Sequence, residues 1–291
     1  MLYVLSTFVF AKGELSAVNS AACLLLLVAN AATVYFTVEF FSLGINHTAP
    51  LIFAILALSF PSAALFDMAA MATLPVCGAF FLAVRYHGGQ VSDDMVFLYN
   101  ALLALASLLF PPIVWLAVFL LAMNFSMAAD KARYVVMSVV GFILPLAVYL
   151  SYLYVTADLR ALAPVVKKYL LSLVAPAPGL GAASASRVIK VLIFGICYIV
   201  ALVKYFRRSA EYSVSHSHVM ILIFSYTVLM VLLLVLFPYG GSTMNTLLLM
   251  MPFSIVLYDY LVWGASDREC RTAVAFAALA VLLEYAFVAV K

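Results

Sequence analysis

The sequence predicts an all-α fold of the membrane kind, a polytopic transmembrane helical bundle of about 8–9 spans. Two observations carry that reading. Hydrophobic residues make up 68% of the chain and charged residues 9%, against roughly 45–50% and about 25% in soluble domains. The apolar residues also fall in blocks separated by short polar gaps, with a mean hydropathy of +1.21. A bilayer requires such blocks and a globular core does not.

Charges mark the spans by their absence, because a Lys, Arg or Asp at a membrane-helix centre costs about 2.5–3.5 kcal/mol on insertion scales. Leu15 to Phe41 is the first span, with Asn19, Asn30 and Glu39 as its polar members. No basic segment followed by a short apolar core and a small-residue cleavage site precedes it, so the run is expected to stay as a membrane helix. Pro50 to His87 is apolar but punctuated by Phe60-Pro61 and Asp67. It reads as a short helix, a turn and a helix from about Met68 to Val84, either a re-entrant hairpin or a pair of spans. Residues 95–129 carry no charge, yet Pro111-Pro112 removes two backbone donors and disfavours helical geometry at Phe110. That segment is expected to be one broken span of two half-helices. Tyr134 to Thr156 is the cleanest span, with a kink expected at Leu144-Pro145.

Between Asp158 and Val174 the character changes. Leu159, Leu162, Val166, Leu170 and Leu173 recur at helical spacing while Arg160, Lys167 and Lys168 face elsewhere, which predicts an interfacial amphipathic helix. Residues 175–186, reading APAPGLGAASAS, are small and Pro/Gly-rich and predict a flexible linker. More regular spans follow at about Val188–Phe206, Val219–Phe237, Asn245–Val262 and Ala273–Val290. The chain thus divides into a first membrane half (1–156), an outer-side amphipathic helix and linker (157–186) and a second membrane half (187–291).

Orientation follows from Lys and Arg in short loops. If Pro50–His87 crosses twice, Lys12, Lys131, Arg133, Lys204, Arg207, Arg208, Arg268 and Arg271 share one side, while the loops at 42–50 and 238–244 carry neither Lys nor Arg. This predicts a bacterial-type inner-membrane protein with a cytoplasmic amino terminus. Arg160, Lys167, Lys168, Arg187 and Lys190 then fall on the outer side, against the trend. The net charge of +3 is spread over span boundaries without interleaved aromatics, so nucleic acid is not an expected partner. Cys23, Cys77, Cys197 and Cys270 are far apart with no C-x-x-C pair, which predicts packing residues and neither a disulfide framework nor a metal site.

Ionisable groups inside a membrane are expensive and stand out as functional candidates. Glu39, near the outer end of the first span, and His47 in the following loop are the catalytic candidates, an acid and an imidazole able to act as a base at the outer surface. Asp67, Asp259 and Tyr258 are the substrate-binding candidates: a buried aspartate between tyrosines, in Leu257-Tyr258-Asp259-Tyr260, can take up a proton or contact a polar ligand group. Asp67 also suits a helix start, where an acid caps free amides, as do Asp93 and Asp94. Asp259 equally suits pairing with a hydroxyl or basic group of a neighbouring helix, and Glu284 suits snorkelling. His216 and His218 alternate in a serine-rich run and are expected in a solvated cytoplasmic loop. No metal or cofactor is expected, since the zincin, phosphate-loop, nucleophile-elbow and dinucleotide signatures are all missing.

Pro follows an apolar residue at Phe60-Pro61, Leu74-Pro75, Phe110-Pro111, Leu144-Pro145, Phe237-Pro238 and Met251-Pro252. Broken membrane helices free carbonyls that only protein or a wet cavity can satisfy, so a crevice is expected in the first half. Residues 46–53 (NHTAPLIF), 99–115 (YNALLALASLLFPPIVW) and 141–145 (GFILP) resemble an uncharacterised family of Bacteroidota inner-membrane proteins. The broken-helix arrangement around ALLALASLLFPP is also similar to the first half of membrane glycosyltransferases that use polyprenyl-linked sugar donors. That second resemblance implies an acid in the first outer loop. Phe41 to Ala49 contains none, which leaves Glu39 nearest to the role.

Three functions follow as expectations. The first is an envelope protein that handles a lipid-linked or amphipathic substrate or acts as a non-catalytic component, with membrane lipids and other envelope membrane proteins as partners. The second is a glycosyltransferase-like enzyme, and the third a transporter using Asp259 and Glu284.

Overall fold

A computed structural model describes residues 17–40, 48–58, 71–87, 92–127, 130–156, 164, 166, 167, 169–171, 185–208, 213–236, 243–261 and 275. Among the described residues there are helices and turns and no strand, an all-α fold. In chain order the helices are α1 (Ala17–Phe40), α2 (Thr48–Leu58), α3 (Thr73–His87), α4 (Asp93–Leu109), a 3-10 turn (Pro111–Ile113), α5 (Val114–Met127), α6 (Lys131–Thr156), α7 (Ala185–Arg208), α8 (Val214–Leu236) and α9 (Thr243–Asp259).

Two stretches, Ala21–Glu39 in α1 and Lys131–Val155 in α6, are long and apolar enough to cross a bilayer; Thr73–Tyr86, Pro111–Met123, His216–Val231 and Leu247–Asp259 are apolar but shorter. The lengths follow from local chemistry. In α4 the Ser92 hydroxyl accepts from the Met95 N–H at 3.3 Å, with Asp93 and Asp94 in the first turn, so the free amides and the positive helix end are both met. That helix stops at Phe110, whose backbone is extended (φ −139°, ψ 93°) as the following proline demands. The chain then makes one 3-10 turn through Pro111–Ile113 and starts α5. The helix break expected at Pro111-Pro112 is therefore observed, but not the single broken span: Arg133 pairs with Asp93, so the chain turns back at the prolines and residues 95–129 form two antiparallel helices that return to the end where α4 began. Pro145 and Pro252 lie inside α6 and α9, which continue past them.

Helix α4 is the hub of the first half and packs against α3, α5 and α6. Its approach to α6 is close at Gly141, where an added Cβ would lie 2.5 Å from the Phe97 carbonyl oxygen and 3.1 Å from its Cα. At the amino-terminal ends of the same two helices, Arg133 pairs with Asp93, and the Tyr99 and Tyr134 hydroxyls meet at 2.6 Å. Helix α9 packs against α1, α2 and α3 as well as α7 and α8. A single apolar cluster therefore runs through helices on both sides of residues 157–186, with Phe80 of α3 against Tyr226 of α8 at 4.7 Å between ring centroids.

The outward faces are apolar. Leu25, Leu51, Val118, Ile143, Val148, Tyr152, Ile196, Ile199 and Val228 are all exposed. Of residues 158–174, six are described and all are helical, and the Tyr169 hydroxyl donates to Ser107 Oγ of α4 at 3.1 Å.

One expectation is overturned. His216 and His218 do not lie in a solvated loop: they belong to the first turns of α8, and the His216 side chain is only 13% exposed. The cause is a serine cap, because Ser213 Oγ accepts from the His216 N–H at 3.3 Å and its carbonyl from the Ser217 N–H at 3.0 Å. A serine in that place starts a helix before the apolar run begins.

Candidate functional site

Buried polar side chains in this bundle are mostly satisfied within their own helix. Asn30 donates to the Leu26 carbonyl at 2.7 Å, Asn100 to Val96 at 2.8 Å, Ser107 to Ala104 at 2.7 Å, Thr227 to Ile223 at 2.8 Å and Ser254 to Met251 at 2.7 Å. An apolar surrounding makes each such bond matter, since an unmet buried donor or acceptor costs about 1–3 kcal/mol. Asp259 Oδ1 and Ser138 Oγ stand out against that pattern, being buried with no hydrogen-bond partner among the described residues. Each marks a place where the bundle keeps polar capacity in reserve.

Asp259 is the last residue of α9, and it is 3% exposed. The neighbour it meets is His216 of α8, whose Nε2 lies 3.6 Å from Asp259 Oδ1. That distance suits an ion pair and is too long for a hydrogen bond. Aromatic rings from α7 close the site. Tyr205 stacks on the His216 ring with centroids 6.3 Å apart and also meets Phe224 edge-on at 5.1 Å. Next to them, Lys204 Nζ sits 5.3 Å from the centre of the Tyr260 ring. The end of α7, the start of α8 and the end of α9 thus meet in one aromatic-walled patch that contains an acid and an imidazole. Such a pair can hold a proton, pass one on, or open to bind a small polar group.

Ser138 is 2% exposed and opens into a pocket of about 140 Å³ between α4, α5 and α6. The walls are apolar, with Val118, Leu121, Phe142 and Ile143 among them, and Asn100 and Ser138 are the polar members. The pocket exists because the Pro111-Pro112 break lets the chain turn back as α5, which packs beside both α4 and α6. The first half therefore holds a pocket beside its proline break, with apolar walls and without Glu39 among its lining residues.

The remaining candidates from the sequence are scattered. Glu39 is exposed near the end of α1 and takes a hydrogen bond from Tyr35, one turn earlier. Tyr258 is fully buried in the apolar core. His47, Asp67 and Glu284 lie outside the described residues. The structure thus brings Asp259 to a partner, His216, that sequence reasoning assigned to solvent; the Ser213 cap was the available signal. Asn100 and Ser138 were passed over because serine and asparagine carry no charge. Their signal was an uncharged hydrogen-bonding side chain inside a span that is otherwise mostly apolar.

Cys23 and Cys77 are buried and Cys197 is half-buried, and none of the three is in a disulfide. The Cys77 thiol donates to Asn30 Oδ1, and Asn30 Nδ2 also reaches Thr73 Oγ1 at 3.4 Å, which ties α1 to α3. Among the described residues no three His, Cys, Asp or Glu side chains converge as metal ligands.

Neither a curated protein nor a solved structure matches the chain, so no likeness to glycosyltransferases is shown. A family model does match, over residues 1–291, and the chain belongs to that family, a family of unknown function (DUF6427).

Proposed function

We propose that the chain is a multi-pass inner-membrane protein of the cell envelope, with about 8–9 spans and a cytoplasmic amino terminus. It holds an amphipathic or lipid-linked molecule and does no chemistry on it. The observation that carries this reading is the pocket between α4, α5 and α6. Its rim residues Val118, Val139 and Ile143 are exposed on the apolar outer face, and its buried members Asn100 and Ser138 are polar. Apolar walls with a few placed polar groups are what an amphipathic ligand needs. The inverted surface supports the membrane setting: apolar side chains point outward along α1, α6, α7 and α8, while Asn30, Asn100, Ser138 and Asp259 are inside.

The test has two arms. A carbonate wash of membranes should leave the full chain in the pellet, and release into the supernatant would end the multi-pass reading. Cells from which the chain is deleted should show an altered profile of envelope lipids or lipid-linked glycans. An unchanged profile, together with co-purification of a constant set of membrane proteins, would replace handling with a scaffold role.

A second reading, a proton-linked transporter, is favoured by one observation, the buried His216–Asp259 pair. Ionisable side chains within a membrane bundle commonly mark proton relays. Purified chain in vesicles loaded with a pH-sensitive dye would then pass protons, and Asp259→Asn would abolish the flux. Equal flux in the two proteins would remove this reading.

A further inference from the structure

We infer that the pocket between α4, α5 and α6 is a site for the acyl chain of an ester-linked glycerolipid, with Ser138 donating a hydrogen bond to the lipid's ester carbonyl. This rests on the membrane reading given above and adds the ligand class, the orientation and the residue that selects it.

Four observations converge. The first is the unspent hydroxyl: Ser138 Oγ is buried, has no hydrogen-bond partner among the described residues and lines the pocket. A hydroxyl offers one donor and two acceptor positions, and elsewhere in this bundle Ser107 and Ser254 use theirs on carbonyls of their own helices. The second is the wall. Val118, Leu121, Phe142 and Ile143 offer hydrocarbon alone, which fits a chain of methylenes and gives a water molecule too few partners, since buried water takes about 2–4 polar contacts.

The third is access. Val118, Val139 and Ile143 are 50%, 41% and 55% exposed, so the pocket opens sideways through the apolar outer face, where lipid tails lie. The fourth is depth. Helices α4 and α6 both begin at the charged end built from Asp93, Asp130, Lys131 and Arg133. Ser138 and Asn100 each lie about 10 Å further along, at ~1.5 Å per residue. With charged groups held at the headgroup layer, that places the Ser138 hydroxyl just inside the hydrocarbon boundary, near the ester linkages, and the rest of the pocket toward the midplane.

Headgroup charge is not the selecting feature. Arg133 is already paired with Asp93, and Lys131, next to Asp130 in the chain, holds its ammonium 5.5 Å from the centre of the Phe125 ring. Selection therefore falls on the linkage: an ester presents a carbonyl acceptor and an ether does not.

The experiment uses the full chain purified in mild detergent and offered equal amounts of dioleoyl phosphatidylethanolamine and its diether analogue, with retained lipid counted by native mass spectrometry. Wild type should keep the ester form about two- to tenfold over the ether form, the range one hydrogen bond supplies. Ser138→Ala, which leaves the pocket's shape intact, should bring the two to parity. Val118→Trp, at the exposed rim, should displace both while the melting temperature stays unchanged. Equal retention of ester and ether by wild type, or an ester preference that survives in Ser138→Ala, would overturn the inference, as would two lipids that remain bound in Val118→Trp. A chain that carbonate leaves in the membrane but that shows no linkage preference fails here alone; one that carbonate releases fails at the membrane reading.

Discussion

The pocket of α4–α6 and the patch where α7, α8 and α9 meet both hold buried polar groups, yet they treat them in opposite ways. In the pocket the groups are neutral, and Ser138 is left open toward a space that reaches the outer face. In the patch the groups are ionisable, Asp259 faces His216 at 3.6 Å, and Tyr205 covers the imidazole. The difference follows from energetics. A neutral hydroxyl without a partner costs about 1–3 kcal/mol, which a folded bundle can carry until a ligand arrives. A buried carboxylate without a partner costs several kcal/mol, so its partner must be part of the protein. The open site is built to receive something, and the closed one joins three helices first.

The largest effect should come from disturbing the frame of the open site. A Cβ at position 141 would lie 2.5 Å from the Phe97 carbonyl oxygen, and backbone cannot move aside as a side chain can. Gly141→Ala should therefore lose about 2–3 kcal/mol of stability as α4 and α6 are pushed apart. Gly195 on α7 has nothing within 4 Å of such a Cβ, so Gly195→Ala should be neutral or gain up to about 1 kcal/mol from helix propensity. Thermal melts of the two variants in the same detergent decide the matter. Equal melting temperatures would mean that α4 and α6 do not approach as described, and the pocket would lose its walls.

Next comes the closed site. His216→Gln and Asp259→Asn should each cost about 1–3 kcal/mol, and the double variant should cost less than their sum by about 0.5–3 kcal/mol, since the residues act on one another. Denaturation of all four proteins closes the cycle. Strict additivity would show that the two side chains are neighbours without being partners, and the proton-linked reading would lose its one support.

How far the sequence made these regions legible differs between them for a physical reason. The break at Phe110 was readable because Pro111 acts on the residue next door, a strictly local effect, whereas the reversal of the chain beyond it depends on packing and was not. Helices α1 and α6 were readable from unbroken apolar runs, and both cover the residues expected within a few positions. The His216–Asp259 contact was hidden because it joins two helices, and the sequence holds no trace of which helix ends meet. Even so, half of it was within reach. Ser213 stands where a cap belongs, and reading it would have moved His216 from solvent into a helix. Asn100 and Ser138 were overlooked for a different reason: a search by charge passes over neutral residues, although a buried neutral group left unmet still costs about 1–3 kcal/mol.

A smaller effect tests how residues beyond α6 attach to the first half. Tyr169 donates to Ser107 Oγ at 3.1 Å, near the end of α4 opposite the Asp93–Arg133 pair. Tyr169→Phe removes that bond and keeps the ring, so it should cost about 0.5–1.5 kcal/mol. The sharper readout is protease sensitivity of the segment around residue 169, which should rise. Unchanged cleavage would mean that the segment is held by its apolar contacts alone.

The smallest effect separates two orphan hydroxyls that look alike on paper. Tyr226 and Ser138 both bury an oxygen with no hydrogen-bond partner among the described residues. Tyr226 is fully buried in the core against Phe80, whereas Ser138 opens into the pocket. Removing an unmet polar atom relieves its desolvation penalty, so Tyr226→Phe and Ser138→Ala should both leave stability unchanged or raise it by up to about 1 kcal/mol in lipid-free detergent. Added ester lipid should then split the pair. It should raise the melting temperature of wild type and Tyr226→Phe alike, because a ligand that binds only the folded state stabilises it in proportion to its affinity. The same lipid should raise that of Ser138→Ala less, by the share of affinity carried by one hydroxyl. If lipid lifts all three proteins equally, Ser138 is an unmet group of the Tyr226 kind, and the open pocket has no claim on it.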